Sequence, residues 1–526
     1  MTELFNASEY LVDRQVAAGG GSRLALTGPL GDLSYADLQA AVGRAAGVLR
    51  SAGLQPEQRL VMFMADSPAF VTIFLAALRI GAVPVPVSTM LRSDGLGALL
   101  RDSRARLLAV TAEFTDTARA AIADAPELTG VLLSGAAGEG AGAGEGVPWH
   151  AFDELVAVAD ADAGCYPTTA DSPAFWLYTS GTTGAPKGAM HRHGSIRVVC
   201  ETYGREVLGV RPDDRCLSAA KAFFAYGLGN SVLFPLSVGA TAILEPSPSR
   251  PDVLADRARS FGATLFFAGP TFFANMLRAD LSADALGGVR LTASAGETLP
   301  AALYQRWTSR FGVEILDGIG MTEMLHIYLS NRAGQVRPGT TGVAVPGYDL
   351  RIVDESGREA PVGTPGTLHV RGASAATGYW SRYDASRQVF QGEWLVTGDT
   401  YVQDEDGYFT CLGRTNDMVK SSGIWLSPAE VEARLLTHEA VEQAVVVGTV
   451  DANGLEKPVA FVITRPGAGV DERVLLDFCR DGLPPYARPR RILCVEAFPT
   501  TATGKVRRVE LRSMAAGVLA EPAPAT

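Results

Sequence analysis

From Arg59 onward the chain repeats one pattern that leaves few choices of fold. "RLVMFM" is an apolar run of strand length, and Ser67-Pro68 is a helix cap followed by proline at the first helical position. "AFVTIFLAALRI" then reads as a helix and "AVPVPV" as the next strand. The alternation returns through "ARLLAVT", "ATAILE", "ATLFFAG" and "VRLTASAG", each beside a helical pattern. Strands that are apolar along their whole length have no wet face. They belong in parallel sheets covered by helices on both sides. At 526 residues the chain exceeds one ordinary core, so two or more domains are expected.

After about residue 340 the texture changes. "DLRIVDESGRE", "GTLHVRG" and "EWLVTGDTYVQDEDGYFTCLGR" are short strands separated by Gly and Asp turns, as in an antiparallel barrel or sheet. Ser427 and Glu430 have the spacing of a capping box, with Pro428 at the first position of the helix "SPAEVEARLL". The expected organisation is a large N-terminal domain over 1–415, built on parallel α/β sheets with a β-barrel-like subdomain at about 340–415. A small, mobile α+β domain over 416–526 completes it, joined near Arg414–Asp417. The Gly/Ala tract "SGAAGEGAGAGEG" at 134–146 reads as a disordered surface loop.

Composition narrows the function classes. A net charge of −11 argues against nucleic acid as a main partner, because phosphate neutralisation wants a basic face. A local basic pocket for one nucleotide stays open. Six cysteines (Cys165, Cys200, Cys216, Cys411, Cys479, Cys494) lie far apart with no CxxC pair. They read as reduced, mostly buried thiols, with neither zinc site nor disulfide frame. The N-terminus is polar and acidic and has no signal-peptide pattern. The most apolar stretch, Ala69 to Leu78, runs straight into Arg79 and is far shorter than the ~20 residues of a membrane span. A cytoplasmic protein with no membrane partner is expected.

The chemistry starts at "LYTSGTTGAPKG", residues 177–188. This is not a Walker A loop, because Pro186 precedes Lys187 and Gly188 follows it. Its glycines and hydroxyls can still wrap a phosphate pair with backbone N–H groups and Ser/Thr donors. A plain Gly/Thr turn between two strands would explain a lone loop of this kind. It does not explain T-S-G-T-T-G-x-P-K-G, where so many positions are specified together.

That string resembles the phosphate-binding signature of the adenylate-forming superfamily, which contains acyl-CoA synthetases, luciferases and peptide-synthetase adenylation domains. Further motifs follow in that family's order: "ASAGETLP" (293–300), "DGIGMTE" (317–323), "TGD" (397–399), "GR" (413–414) and "PTTATGKVRR" (499–508). The resemblance covers essentially the whole chain. It implies an ATP site made of Thr179, Ser180, Gly181, Thr182, Thr183, Gly184 and Lys187, with Ala295, Gly296 and Glu297 on the adenine side. Asp317, Gly318, Ile319 and Thr322 belong to the same site, Asp399 and Arg414 reach ribose, and Lys505 is the C-terminal catalytic lysine. Thr322 and Glu323 are the remaining catalytic pair, Glu323 being the Mg²⁺ ligand.

The physics of these roles stands by itself. Adenylation joins a carboxylate to the α-phosphorus of ATP, two anions that repel. The site must neutralise charge and hold the pair in line. Lys505, on a Gly-containing loop, is a cation for that gap. Glu323 suits Mg²⁺, which takes oxygen ligands and bridges phosphates. Asp399 can accept from both ribose hydroxyls. Taken singly, each has a bland alternative: a solvated lysine, a helix-start carboxylate, a turn-former after Gly398. His191 and His193 read as structural rather than metal-binding.

By the same resemblance the hinge between domains is Asn416, where the family usually carries Asp or Lys, with Asp417 next. Amino-acid-activating relatives place an aspartate at the position of Ala225, so an α-amino acid here would bury an unpaired cation. "KAFFAYGLGN" and "GIGMTEMLHIYLSN" are similar to the benzoate–CoA ligase branch, which implies a flat aryl pocket of Ala225, Tyr226, Gly320, His326 and Ile327. Without the resemblance, Phe223, Phe224 and Tyr226 read as ordinary core at a helix start. "KSSGIW" (420–425) is implied as the CoA face, through Lys420, Ser422, Gly423 and Trp425.

The expected protein is therefore an ATP-dependent aryl-acid–CoA ligase for benzoate or a close analogue, using ATP, Mg²⁺ and coenzyme A through an acyl-adenylate. An aryl-acid enzyme that loads a carrier protein, and a non-catalytic nucleotide-binding protein on the same fold, remain the alternatives. Ring substituents and oligomeric state are open.

Overall fold

The computed structural model describes residues 3–123, 125–135, 146–161, 164–180, 186–421, 424–450, 455–465, 467–500 and 506–520. The strand–helix units build two parallel sheets. The first has five strands in the order Val83–Pro86, Arg59–Phe63, Leu107–Thr111, Gly130–Ser134, Trp149–Ala151, all parallel. Its crossover helix Pro68–Arg79 starts as the sequence predicts: the Ser67 hydroxyl accepts from the Phe70 N–H, and Pro68 needs no partner for the N–H it lacks. Every residue from Phe70 to Arg79 is buried, so the helix is apolar all round. Arg79, its one charge, is paired with Asp13 at 2.7 Å.

The second sheet has nine strands. Its parallel centre runs Ile315–Gly320, Leu291–Ser294, Leu265–Ala268, Arg215–Ser218, Thr241–Ile243, Leu24–Thr27. Antiparallel strands Ile327–Ser330 and Val343–Ala344 close one edge, and Leu33–Ser34 the other. In such sheets ligands sit beyond the carboxyl ends of the parallel strands. Three of those ends lead directly into segments singled out above: Ser218 towards Ala225, Ser294 into Ala295–Glu297, and Gly320 into Thr322–Met324.

After residue 340 the strands are antiparallel. Tyr348–Val353, Gly366–Gly372, Trp394–Gln403 and Phe390–Gln391 form one sheet, and Phe409–Arg414 also pairs with Trp394–Gln403. The C-terminal part is a three-stranded sheet of Val441–Val450, Glu456–Thr464 and Arg491–Cys494 with helices Pro428–Leu436, Glu472–Gly482 and Arg508–Ala520. The α/β plus β-rich plus small α+β composition is as expected.

One local expectation fails. Ser427 does precede the helix Pro428–Leu436, but its hydroxyl makes no cap. It donates instead to the Leu412 carbonyl at 2.5 Å, so the 427–430 spacing is not a capping box. The box lies at the start of helix Tyr35–Ser51, where Ser34 and Asp37 bond reciprocally. All six cysteines are free; Cys200, Cys216 and Cys479 are buried, Cys165 and Cys411 partly buried, and Cys494 exposed. Of the Gly/Ala tract, residues 136–145 lie outside the described residues. Among the described residues no helix is long and apolar enough to cross a membrane.

Candidate active site

The phosphate-loop motif forms a hairpin of Pro173–Ser180 and Pro186–Arg192, with Thr179 opposite Lys187. Thr179 and Ser180 end the first strand, and Gly181, Thr182, Thr183 and Gly184 lie outside the described residues. A loop at 376–380 is bonded onto the second strand: Met190 N–H donates to Gly378, and Trp380 N–H to Gly188. This brings in Tyr379, which sequence reasoning missed. Its hydroxyl donates to Glu323 Oε1, and the Lys187 ammonium sits 5.4 Å from its ring centre. Tyr379 therefore stands between the hairpin cation and the buried Glu323 carboxylate. Burial first, then Glu323, holds the Tyr379 hydroxyl well above its usual pKa, so it stays a donor.

The segment carrying Glu323 is held tightly. Thr322–Met324 is one 3₁₀ turn, and His191 Nε2 lies 2.8 Å from the Thr322 carbonyl oxygen. Leu325 follows at φ 66°, ψ −42°, with the His326 N–H bonded to the Met324 carbonyl at 2.8 Å. That is a γ-turn of the strained hand, unusual for a branched residue. Complete burial of the Leu325 side chain holds it there. The turn sends Glu323 one way and His326 the other.

Asp399 and Arg414 face each other across adjacent strands, Arg414 Nε to Asp399 Oδ1 at 2.9 Å, with Asp399 buried and Arg414 half exposed. Burial, then Asp399, with a smaller share from Glu323, pushes the buried Tyr328 hydroxyl well above its usual value, while Arg414 opposes. These three charged groups thus share one region. Asp317 lies at the end of the parallel sheet, paired in register with Ser294. Burial pushes its carboxyl well above the usual carboxylate range, and its Oδ1 has no hydrogen-bond partner among the described residues. A neutral carboxyl there can donate or accept. Glu297 is otherwise engaged: its Oε2 accepts from the Thr271 hydroxyl at 2.7 Å.

The residues implied for the acid are uncharged and partly or fully buried. Helix Ala225–Leu228 opens with Ala225 and Tyr226, whose hydroxyl donates to the Ala293 carbonyl at 2.8 Å. His326 Nε2 is 3.3 Å from the Tyr226 carbonyl oxygen, which puts its proton on Nε2. Its ring packs among Tyr203, Tyr226 and Phe234 at 5.3, 5.4 and 4.6 Å. Burial lowers the His326 pKa to about 3, so the imidazole is neutral. Gly229, also missed from sequence, makes the packing possible, since a Cβ there would lie 2.3 Å from the ring. Gly320 has a reason of its own: a Cβ would lie 2.5 Å from the His326 carbonyl oxygen. Ile327 is buried core, packed beneath Gly318.

The remaining expected residues belong to the segment after Arg414 or lie outside the described residues. Asn416 is the middle of the 3₁₀ turn Thr415–Asp417. The next residue, Asp417, binds Arg508 and Arg512 of the last helix. Lys420 and Trp425 are register partners in a short hairpin, Val419–Ser421 with Ile424–Leu426. Ser422, Gly423 and Lys505 lie outside the described residues. His191 and His193 are structural: His191 stacks on Phe175 at 5.0 Å, and His193 Nδ1 accepts from the Ala7 N–H at 3.0 Å. Among the described residues no group of three or more His, Cys, Asp or Glu can cage a metal. Glu323 offers a carboxylate oxygen, the ligand type that suits Mg²⁺.

This arrangement can be set beside known proteins. Residues 12–380 match the family model described as AMP-binding enzyme, and residues 430–505 match AMP-binding enzyme C-terminal domain. The chain belongs to the AMP-binding enzyme family. It is 42% identical over 518 residues to a benzoate–CoA ligase of Thauera aromatica, covering 97% of this chain and 96% of that one. It is 40% identical to a 4-hydroxybenzoate–CoA/benzoate–CoA ligase of Rhodopseudomonas palustris, covering 98% and 95%. Among solved structures, a benzoate CoA ligase from Burkholderia xenovorans superposes with a TM-score of 0.89 at 39% identity, over 97% of this chain and 100% of that one.

Proposed function

We propose that this chain is an ATP-dependent aryl-acid–CoA ligase, acting on benzoate or a close analogue through an acyl-adenylate. The observation that carries the reading is the neutral, ring-packed wall of Ala225, Tyr226 and His326, reached from the same sheet end as Glu323. Such a wall accepts an aromatic ring and offers no partner to a substrate ammonium. The full-length likeness to benzoate–CoA ligases points the same way.

In the first half-reaction the acid carboxylate attacks the α-phosphorus of ATP, and pyrophosphate leaves. Lys187 and the 179–184 loop hold the phosphates, Thr322 adds a hydroxyl, and Asp399 and Arg414 fix the ribose. Ala295, Gly296, Glu297, Asp317, Gly318 and Ile319 border the adenine. Lys505 places a cation between the two anions as they approach. Mg²⁺, held by Glu323, screens the phosphate charge when bound. In the second half-reaction CoA thiolate attacks the acyl carbon, AMP leaves, and a thioester forms. We divide the chain at 415/416 and assign Asn416 as the pivot; the grip of Asp417 on the last helix supports a boundary there. The 420–425 face, with Gly423 at its closest point, receives the pantetheine arm. We place the reaction in the cytoplasm.

The test is product balance. With benzoate, Mg-ATP and CoA, mass spectrometry should find benzoyl-CoA, AMP and pyrophosphate in equal amounts. ADP and phosphate as products, or AMP with no thioester on CoA, would overturn the reading.

A further inference from the structure

Asp66 plays no part in the mechanism above, yet it is a buried acid, 4% exposed, between the two parallel sheets. Its own segment is fixed to the five-stranded sheet: the Ala65 N–H is held by Thr111 Oγ1 at 3.1 Å, and Ser67 caps the next helix. Both carboxylate oxygens reach across to the other sheet, where they accept from the fully buried Ala222 N–H at 3.1 and 3.2 Å. Ala222 opens the turn that delivers Ala225 and Tyr226. That turn is stiff. Phe224 N–H closes on the Lys221 carbonyl at 3.0 Å, and a Cβ on Gly227 would lie 2.0 Å from the same oxygen. The neighbouring Lys221 ammonium bonds the carbonyls of Glu245 and Ser247 at 2.6 and 2.5 Å, and its charge also acts on Asp66, lowering the carboxyl pKa against the effect of burial.

We infer that Asp66 is a positioning residue for the carboxylic-acid substrate, fixing the Ala225–Tyr226 wall by accepting from the Ala222 N–H. A buried carboxylate is costly to keep in an enzyme that binds anions, so a packing role alone would be served better by an apolar side chain. The stiffness of the turn passes any shift at Ala222 to the wall, and a displacement of about 1 Å in a bound group can cost ~10²-fold in rate. The inference rests on the reading that Ala225 and Tyr226 face the acid.

The experiment compares side chains that keep the acceptor with ones that misplace it. Asp66→Asn keeps an oxygen at the right reach and should hold the benzoate KM within about 3-fold of wild type. Asp66→Glu keeps the charge but is one methylene too long, and should raise the benzoate KM about 10-fold or more while the ATP KM moves less than about 2-fold. Asp66→Ser, too short to reach, should behave as Asp66→Glu and replaces it if that variant does not fold. Equal rises in both KM values, no rise in either, or Asp66→Asn as damaging as Asp66→Glu would overturn the inference. Ala225→Val is the control. If it shifts the acid KM and the Asp66 variants do not, the wall stands and Asp66 is only structural; if neither does, the wall itself is misassigned.

Discussion

On the side we assign to the nucleotide, the charged groups are answered: Lys187 over Tyr379, Tyr379 on Glu323, Arg414 on Asp399. On the side we assign to the acid they are neutral and partly or fully buried, Tyr226 bonded to a backbone carbonyl and His326 kept uncharged by burial. The two sides meet along the segment from Gly320 to Ile327, where the γ-turn at Leu325 separates Glu323 from His326. The difference suits the two ligands we propose. A polyphosphate needs charge and fixed donors, whereas a ring needs a surface and would leave any stray charge unpaired.

The widest separation between the two sides should come from Lys505→Ala. Adenylate formation should fall about 10²-fold or more, the scale of one lost transition-state charge contact. Thioester formation from pre-made acyl-adenylate should suffer much less, and equal damage to both steps in single-turnover assays would remove Lys505 from the role. Tyr379→Phe comes next. It deletes a hydrogen bond to a charged group, worth ~1.5–3 kcal/mol, so adenylation should slow by about 10–100-fold. The ranking of acids should stay as it was; a changed ranking would mean that Tyr379 belongs to the acid side.

Ala225→Val works the other way round. Overpacking costs ~1–3 kcal/mol, so kcat/KM for benzoate should drop, and for ring-substituted acids drop further, with ATP affinity unmoved. Smallest is a test of enforced neutrality outside the site. Burial lowers the His193 pKa to about 4, and its Nδ1 already accepts an N–H, so a proton there would set donor against donor. The unfolded chain binds that proton at ~6.5, hence stability falls as pH drops from about 6.5 towards 4. Asp66, raised by burial to about 6, works in the opposite direction over its own range. His193→Gln should flatten the pH dependence of unfolding by up to one proton, about 1.4 kcal/mol per pH unit. Denaturant melts at pH 7 and 5 measure it; an unchanged slope would show that His193 is not held neutral.

How much of this was legible in the sequence depends on whether a feature is local. The alternating units and the helix start at Ser67-Pro68 were readable because capping and periodicity act within a few residues. Ser427 was misread because the Leu412 carbonyl, distant in sequence, takes its hydroxyl. The residues proposed for the nucleotide fall in contiguous strings, so they could be named together. The residues we assign to the acid come from the helix Ala225–Leu228 and the Gly320–Ile327 segment, about 95 residues apart, and were reached only through resemblance. Tyr379 meets Glu323 across 56 residues, and Asp66 meets Ala222 across 156, with no local spacing to announce either.

The most direct test of the neutral acid wall is acid-dependent ATP–pyrophosphate exchange by the wild-type chain, with no CoA present. The panel should hold benzoate, ring-substituted benzoates, medium-chain fatty acids and α-amino acids with aromatic side chains. Benzoate or a close ring analogue should drive the fastest exchange, with fatty acids and amino acids near background. Fastest exchange with an amino acid or a medium-chain fatty acid would contradict the account.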